Sequence, residues 1–503
     1  MEYCEVKTNN GIVKGKIEDG ICKWFGIPYA KKPLGENRFR RAQPVQSWSG
    51  VLETVELPNK PIQPAFFVQN DAIAQSEDCL YLNIMSKETE GKKPVLVWIY
   101  GGAFIVGEAT LPMYDGTAFA NDDIVFVSIN YRVAVYGGYD LSHFAEGERN
   151  FDGNIFISDQ IQALRWVKDN IQYFGGDSEN ITIMGESAGG TSVMNLLASP
   201  STEGLFQKVI CESGVIGATV PPQVGNLNMR WLLRHLRVNE DELYKIKEMD
   251  EATLSEAAIW LLSKFTRTYP GLFLAGPVTG PLLPEVPLEA IKKGQGKGVK
   301  LLIGVNKDES TLFVTDDNSN MCYTEEEAER FLDNCQVPEE VREELRAAYG
   351  GDYGNGQGLK DFMSDINFTY YSQKAAEYQS QFEDTYMYYY KFANPVAQQA
   401  QLGCYHSSEI PFVFDTCDKY DMKEMLAATS KETLDYFTKL FHENWVNFIK
   451  YGNPNGNEEK GPWEKFDADK KNMYVIDETC KMENDPFKAR VDAVDKINIY
   501  DEF

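Results

Sequence analysis

The sequence predicts an α/β fold built on a mainly parallel sheet covered on both faces. Three observations carry that expectation. Short apolar, β-branched runs alternate with helical patterns over most of the chain. Two Gly-rich turns each follow such a run directly. The chain is long enough, at 503 residues with 43% hydrophobic and 25% charged residues, to bury one large core of ordinary globular composition.

The strand candidates are residues 95–99, 124–129, 181–184, 209–211, 301–305 and 387–392. Helical patterns cover 158–172, 188–197 and 434–451, the last closed by Gly452-Asn453-Pro454. Two stretches, about 226–264 and 324–381, are rich in helix formers and charge. They are expected as helical insertions that wall a pocket within a single domain spanning 1–503. Residues 350–358 are Gly-rich but match neither dinucleotide nor P-loop spacing, and are expected as a loop.

The first Gly-rich turn, Met184-Gly185-Glu186-Ser187-Ala188-Gly189, holds the pattern G-x-S-x-G between a predicted strand and a predicted helix. That context puts a serine at the top of a sharp turn, with glycines where strand and helix approach. Ser187 is therefore the candidate nucleophile. A serine nucleophile needs a base, an acid to orient the base, and donors for the oxyanion.

Histidine suits the base because its pKa lies near working pH. The chain has four, His143, His235, His406 and His442. The order Ser, acid, His removes His143. His235 and His442 fall inside helical patterns and are expected to be structural. His406 lies in a loop after a strand region, in Cys404-Tyr405-His406-Ser407-Ser408-Glu409. Because it must be neutral to act, the rate is expected to rise through a pH near about 6.5. The acid is sought just after strand 301–305, where Asp308 and Glu309 stand side by side. Neighbours on one loop cannot be separated by pattern alone. For the oxyanion, Ala188 offers one backbone N–H. The second Gly-rich turn, Tyr100-Gly101-Gly102-Ala103-Phe104 after strand 95–99, offers the rest.

Net charge is −27, with no basic run, which argues against nucleic acid and anionic membrane surfaces as partners. No stretch is long and apolar enough to span a membrane, and the N-terminal residues lack a signal pattern. Nine scattered cysteines without a C-x-x-C pair point to a reduced, cytoplasmic setting. No cofactor and no metal is called for.

Further segments extend the pattern. Phe25-Gly26-Ile27-Pro28-Tyr29-Ala30, Ser76-Glu77-Asp78-Cys79-Leu80-Tyr81-Leu82-Asn83, Asn130-Tyr131-Arg132 and Phe174-Gly175-Gly176-Asp177 accompany the serine turn. So does His406 with Glu409-Ile410-Pro411-Phe412. Together they resemble the type-B carboxylesterase/cholinesterase family of α/β-hydrolases over nearly the whole chain, closest in pattern to its bacterial carboxylesterases. The resemblance implies a triad of Ser187, Glu309 and His406, with Glu309 preferred to Asp308, and an oxyanion hole of Gly102, Ala103 and Ala188. It implies hydrolysis of small, largely apolar carboxylic esters through an acyl-enzyme.

Three departures limit what carries over. Ala103 stands where the family usually has a third glycine. The spacing of Cys22 and Cys79 differs from that of the secreted relatives' disulfide. The stretch before Ser76 is short, so choline specificity is not carried over. The same residues would also serve amide, carbamate, lactone or hydroxycinnamate ester cleavage. A non-catalytic adhesion or binding role would need a broken triad, whereas all three members are present. Natural substrate and oligomeric state lie beyond the sequence.

Overall fold

The computed structural model describes residues 2–64, 72–142, 151–269, 271, 273–314, 321–322, 324–351, 356–458 and 461–497. His143 and part of the 350–358 segment lie outside them. So does most of the short stretch before Ser76. Thirteen strands form one sheet: β1 (Glu2–Lys7), β2 (Ile12–Glu18), β3 (Ile21–Pro28), β4 (Val51–Glu53), β5 (Tyr81–Ser86), β6 (Lys93–Ile99), β7 (Val125–Ile129), β8 (Gly176–Glu186), β9 (Lys208–Glu212), β10 (Lys300–Asn306), β11 (Thr385–Tyr390), β12 (Asn472–Ile476) and β13 (Lys481–Asn484). Their order is β1-β2-β3-β5-β7-β6-β8-β9-β10-β11-β12-β13, with β4 beside β2.

From β7 to β12 every neighbouring pair is parallel, while β1, β2, β3 and β5 join as antiparallel ribbons at one edge. The central strands are buried along their length, as parallel strands covered on both faces must be. One face packs against helices Ile155–Asn170 and Ala188–Ala198. The other lies under helix Lys431–Tyr451, whose Phe437, Phe441, Trp445 and Phe448 meet Trp98, Met184, Ile210, Leu302 and Tyr386. Ser430 caps that helix by accepting the Thr433 N–H, and Gly452, at φ +69°, closes it in the left-handed region. This is the α/β-hydrolase architecture expected.

Boundaries shift where packing overrides local pattern. The 387–392 strand is displaced to Thr385–Tyr390, because pairing with β10 and β12 sets its span and leaves Phe392 beyond it. The 158–172 helix starts three residues earlier, at Ile155, after Asn154 turns the chain at φ +55°. It ends at Asn170, and a tighter 3₁₀ turn, Ile171–Phe174, follows. Gly356-Gln357-Gly358 open helix Gly356–Ser364 rather than lying in a loop. The two charged stretches hold helices Pro222–Leu236, Glu251–Thr268, Glu325–Asn334, Glu339–Ala348, Gly356–Ser364 and Tyr370–Gln379. Between the last two runs a π-helical segment, Asp365–Thr369.

Candidate active site

Adjacent parallel strands β6 and β8 end side by side, with Ile99 opposite Gly185. Both Gly-rich turns therefore leave the same end of the sheet. Ser187 sits at the crossover from β8 to helix Ala188–Ala198 with φ +59° and ψ −122°, a conformation that costs a non-glycine residue energy and marks a constrained site. The constraint is tertiary as well as local. The Ser187 N–H donates to Glu212 O at 2.9 Å, and Ser187 O accepts the Thr191 N–H at 2.8 Å. A Cβ on Gly189 would lie 2.0 Å from Ile99 O, and one on Gly185 2.4 Å from the Gly189 backbone. Glycine is required at both positions because strand, turn and helix share that space.

The second turn packs onto the first. A Cβ on Gly101 would meet Ser187 Cβ at 2.9 Å. Gly102 has φ +107°, and its carbonyl accepts the N–H groups of Ile105 and Val106 at 3.0 Å. Ala103 follows at φ +54° and Phe104 at φ +60°. Ala103 thus carries its methyl in the left-handed region, where alanine is strained and glycine is not.

Glu309 and His406 come from loops after β10 and beyond β11. Glu309 is fully buried, and its Oε2 pairs with His406 Nδ1 at 2.6 Å. Glu309 Oε1 accepts from Ser213 Oγ at 2.6 Å and from the Asn306 N–H at 2.7 Å. Three donors thus converge on this carboxylate, and its contact with the ring places the His406 proton on Nδ1. Asp308 has another task. It accepts the Cys404 N–H at 2.8 Å, and its own N–H donates to Cys404 O at 2.9 Å, which stitches the acid loop to the histidine loop. A Cβ on Gly403 (φ +64°) would fall 2.2 Å from that Asp308 carboxylate, so the stitch needs glycine there.

His406 Nε2 lies 3.0 Å from Glu186 Oε1 and has no hydrogen-bond partner in this geometry. The hydrogen bond from Ser187 Oγ that proton transfer requires is therefore not formed in this state. Burial works to lower the His406 pKa, but the charges and contacts of Glu186 and Glu309 outweigh it and hold the imidazole well above its ordinary value. A group held in this direction would place the rise in rate above about 6.5. Glu186 Oε1 also accepts from Ser407 Oγ.

Some neighbours left no signal in the sequence. Phe313 and Phe368 set their rings 5.2 and 4.9 Å from the imidazole. Phe313 lies four residues after Glu309, but Phe368 comes from the π-helical segment of the second insertion, which no local pattern announces. His235 and His442 lie in helices, as expected. His442 contacts Val413 O and Asp122 at 2.7 and 2.9 Å, away from Ser187's turn. Among the described residues no two cysteines are bridged to each other.

A buried imidazole oriented by a buried carboxylate, beside a serine on a strained turn and a second turn rich in left-handed backbone, is equipped for acyl transfer. The profile of the carboxylesterase family matches residues 2–494. The para-nitrobenzyl esterase of Bacillus subtilis (strain 168) is 33% identical over 493 residues, covering 97% of each chain. A human cocaine esterase is 32% identical over 511 residues, covering 93% of this chain and 87% of its own. Among solved structures, a PNB esterase superposes with TM-score 0.88 at 32% identity, over 97% of this chain and 99% of that one.

Proposed function

Because this chain belongs to the carboxylesterase family and is a serine carboxylic ester hydrolase, we propose that Ser187, His406 and Glu309 are its catalytic triad. Ser187 Oγ attacks the ester carbonyl while His406 Nε2 takes its proton. Glu309 holds the imidazole tautomer and balances the imidazolium. The N–H groups of Gly102, Ala103 and Ala188 stabilise the tetrahedral oxyanion. His406 then protonates the leaving alcohol, and water activated by the same nitrogen hydrolyses the acyl-enzyme. The observation that carries this reading is the 2.6 Å contact between Glu309 and His406 Nδ1, made by two residues 97 positions apart.

The substrate class that fits is a small, largely apolar ester. Its acyl side meets the Ala103 methyl, and Phe313 and Phe368 flank the histidine. Residues 1–503 are read as a single hydrolase domain, with the insertions near 226–264 and 324–381 as pocket walls. A bacterial origin and a cytoplasmic location remain part of the proposal. The first rests on likeness to the bacterial relatives and the second on the scattered cysteines. Among the described residues no helix is long and apolar enough to cross a membrane.

The test is covalent. A fluorophosphonate probe should label the wild-type protein once, on Ser187, and should fail to label Ser187→Ala. Labelling of the variant, or an adduct on another residue, overturns the assignment.

A further inference from the structure

Register places Glu186 opposite Glu212, Glu212 opposite Gly304, and Gly304 opposite Tyr388 across β8, β9, β10 and β11. Residues in register on parallel strands share a face, so Glu186, Glu212 and Tyr388 project together toward helix Lys431–Tyr451. The missing side chain at Gly304 is filled by the Tyr388 ring, which a Cβ there would strike at 2.2 Å. Glu409, from the turn after His406, joins the cluster through Asn306 Nδ2, which donates to its Oε2. Four carboxyl groups, Glu186, Glu212, Glu309 and Glu409, are thus buried around one imidazole.

Their partners are unequal. Glu309 accepts three hydrogen bonds. Glu186 has the Ser407 hydroxyl and faces His406. Glu212 has only the Trp445 Nε1–H, on Oε1, and its Oε2 is buried without a partner. Glu409 Oε1 is likewise unpartnered. Among the described residues no lysine or arginine pairs with either. An anion in a dry interior demands a counter-charge or several donors, and a carboxyl with neither keeps its proton.

We propose that Glu212 works as a neutral carboxylic acid behind the triad, with Glu409 as its neutral companion, so that Glu186 and Glu309 are the only anions acting on His406. The added protons supply donors where two buried oxygens lack them. Burial pushes the Glu212 carboxyl well above its ordinary value, and burial together with the charges of Glu186 and Glu309 raises Glu409 to about 8. The groups facing Glu212 are Glu186 from β8, Glu409 from the histidine turn, Tyr388 from β11, Tyr114 from the 3₁₀ turn Pro112–Tyr114 and Trp445 from the covering helix. Were Glu212 ionised, it would add a third negative charge near the imidazole. His406 would then stay protonated, and unable to act as base, to higher pH.

The test has two arms. The first is infrared difference spectroscopy of the whole enzyme, wild type minus Glu212→Gln. A protonated-carboxyl C=O band present in the wild type at pH 7 and lost in the variant supports the assignment, and a lost carboxylate band overturns it. Trp445→Phe leaves Glu212 in place and removes its one donor, so it must shift that same band. A band indifferent to both substitutions belongs to another acid and also overturns the assignment.

The second arm rests on His406 being the base. Glu212→Gln, which replaces a neutral acid by a neutral amide, should keep kcat/KM within about threefold and leave its acid limb unmoved. A downward shift of about one pH unit would show that a charge was removed, and would overturn the proposal. Glu186→Gln is the control, and must lower the limb. If it does not, the limb does not report His406 and the parent reading fails, while the infrared arm still decides the state of Glu212.

Discussion

The serine turn and the histidine turn meet at one site but are held in different ways. The serine turn is held by backbone. Six consecutive residues, two glycines and a strained φ of +59° hold Ser187, with Gly189 packed against Ile99 O and the Ser187 N–H bonded to Glu212 O. The histidine turn is held by side chains from far along the chain: Asp308 bonds the Cys404 backbone, Asn306 bonds Tyr405 O and Glu409, and Glu309 bonds the ring itself. The contrast teaches that Ser187 is placed by backbone, whereas His406 is placed by a charged network that can be retuned by substitution.

The largest effect should come from breaking either end outright. Ser187→Ala and His406→Ala should each lower kcat on a short-chain aryl ester by about 10⁴-fold or more, with melting unchanged for Ser187→Ala and lowered for His406→Ala, which strips the buried Glu309 of its partner. Steady-state kinetics and a thermal scan check both, and a loss below about 100-fold would place the chemistry elsewhere. Next comes the backbone-held turn. Gly189→Ala puts a methyl against Ile99 O and should cost about 1–3 kcal/mol of stability in urea unfolding, with activity falling alongside. A stable variant would mean the turn is less rigid than its contacts say.

The charge network is tested by Glu186→Gln. Glu186 favours the imidazolium, so removing its charge should lower the His406 pKa and move the acid limb of kcat/KM down. In the wild type that limb should lie above about 6.5. A wild-type limb at or below that value, measured on the same aryl ester, contradicts the raised pKa. Asp308→Ala removes one stitch between loops. It should cost about 1 kcal/mol of stability and lower kcat with little change in KM, since it orients the base without touching substrate. Ala103→Gly should have the smallest effect. It relieves a left-handed alanine, keeps the N–H, and should change stability by about 1 kcal/mol or less while raising the relative rate on bulkier acyl esters. A panel of acyl chain lengths reads this out, and an unchanged profile would remove Ala103 from the acyl wall.

The sequence by itself determined the sheet-and-helix architecture, the family, and the candidate serine and oxyanion turns. Those features are local. A buried run, a turn and a helix fall within about a dozen consecutive residues, and glycine is the sterically required choice where they touch. His406 was legible by elimination among four histidines. Between Asp308 and Glu309 the residues alone were silent, because adjacent carboxylates differ only in which way each points. The tertiary structure gives Asp308 to the Cys404 backbone and Glu309 to the imidazole.

It alone brought Glu186 to 3.0 Å from His406 Nε2 and lined up Glu212 behind it by strand register. It also delivered Phe368 from a π-helical segment. The physical reason is common to all three. Protonation and ring contacts depend on which groups share a dry space, and residues hundreds of positions apart share one only after the sheet has been assembled.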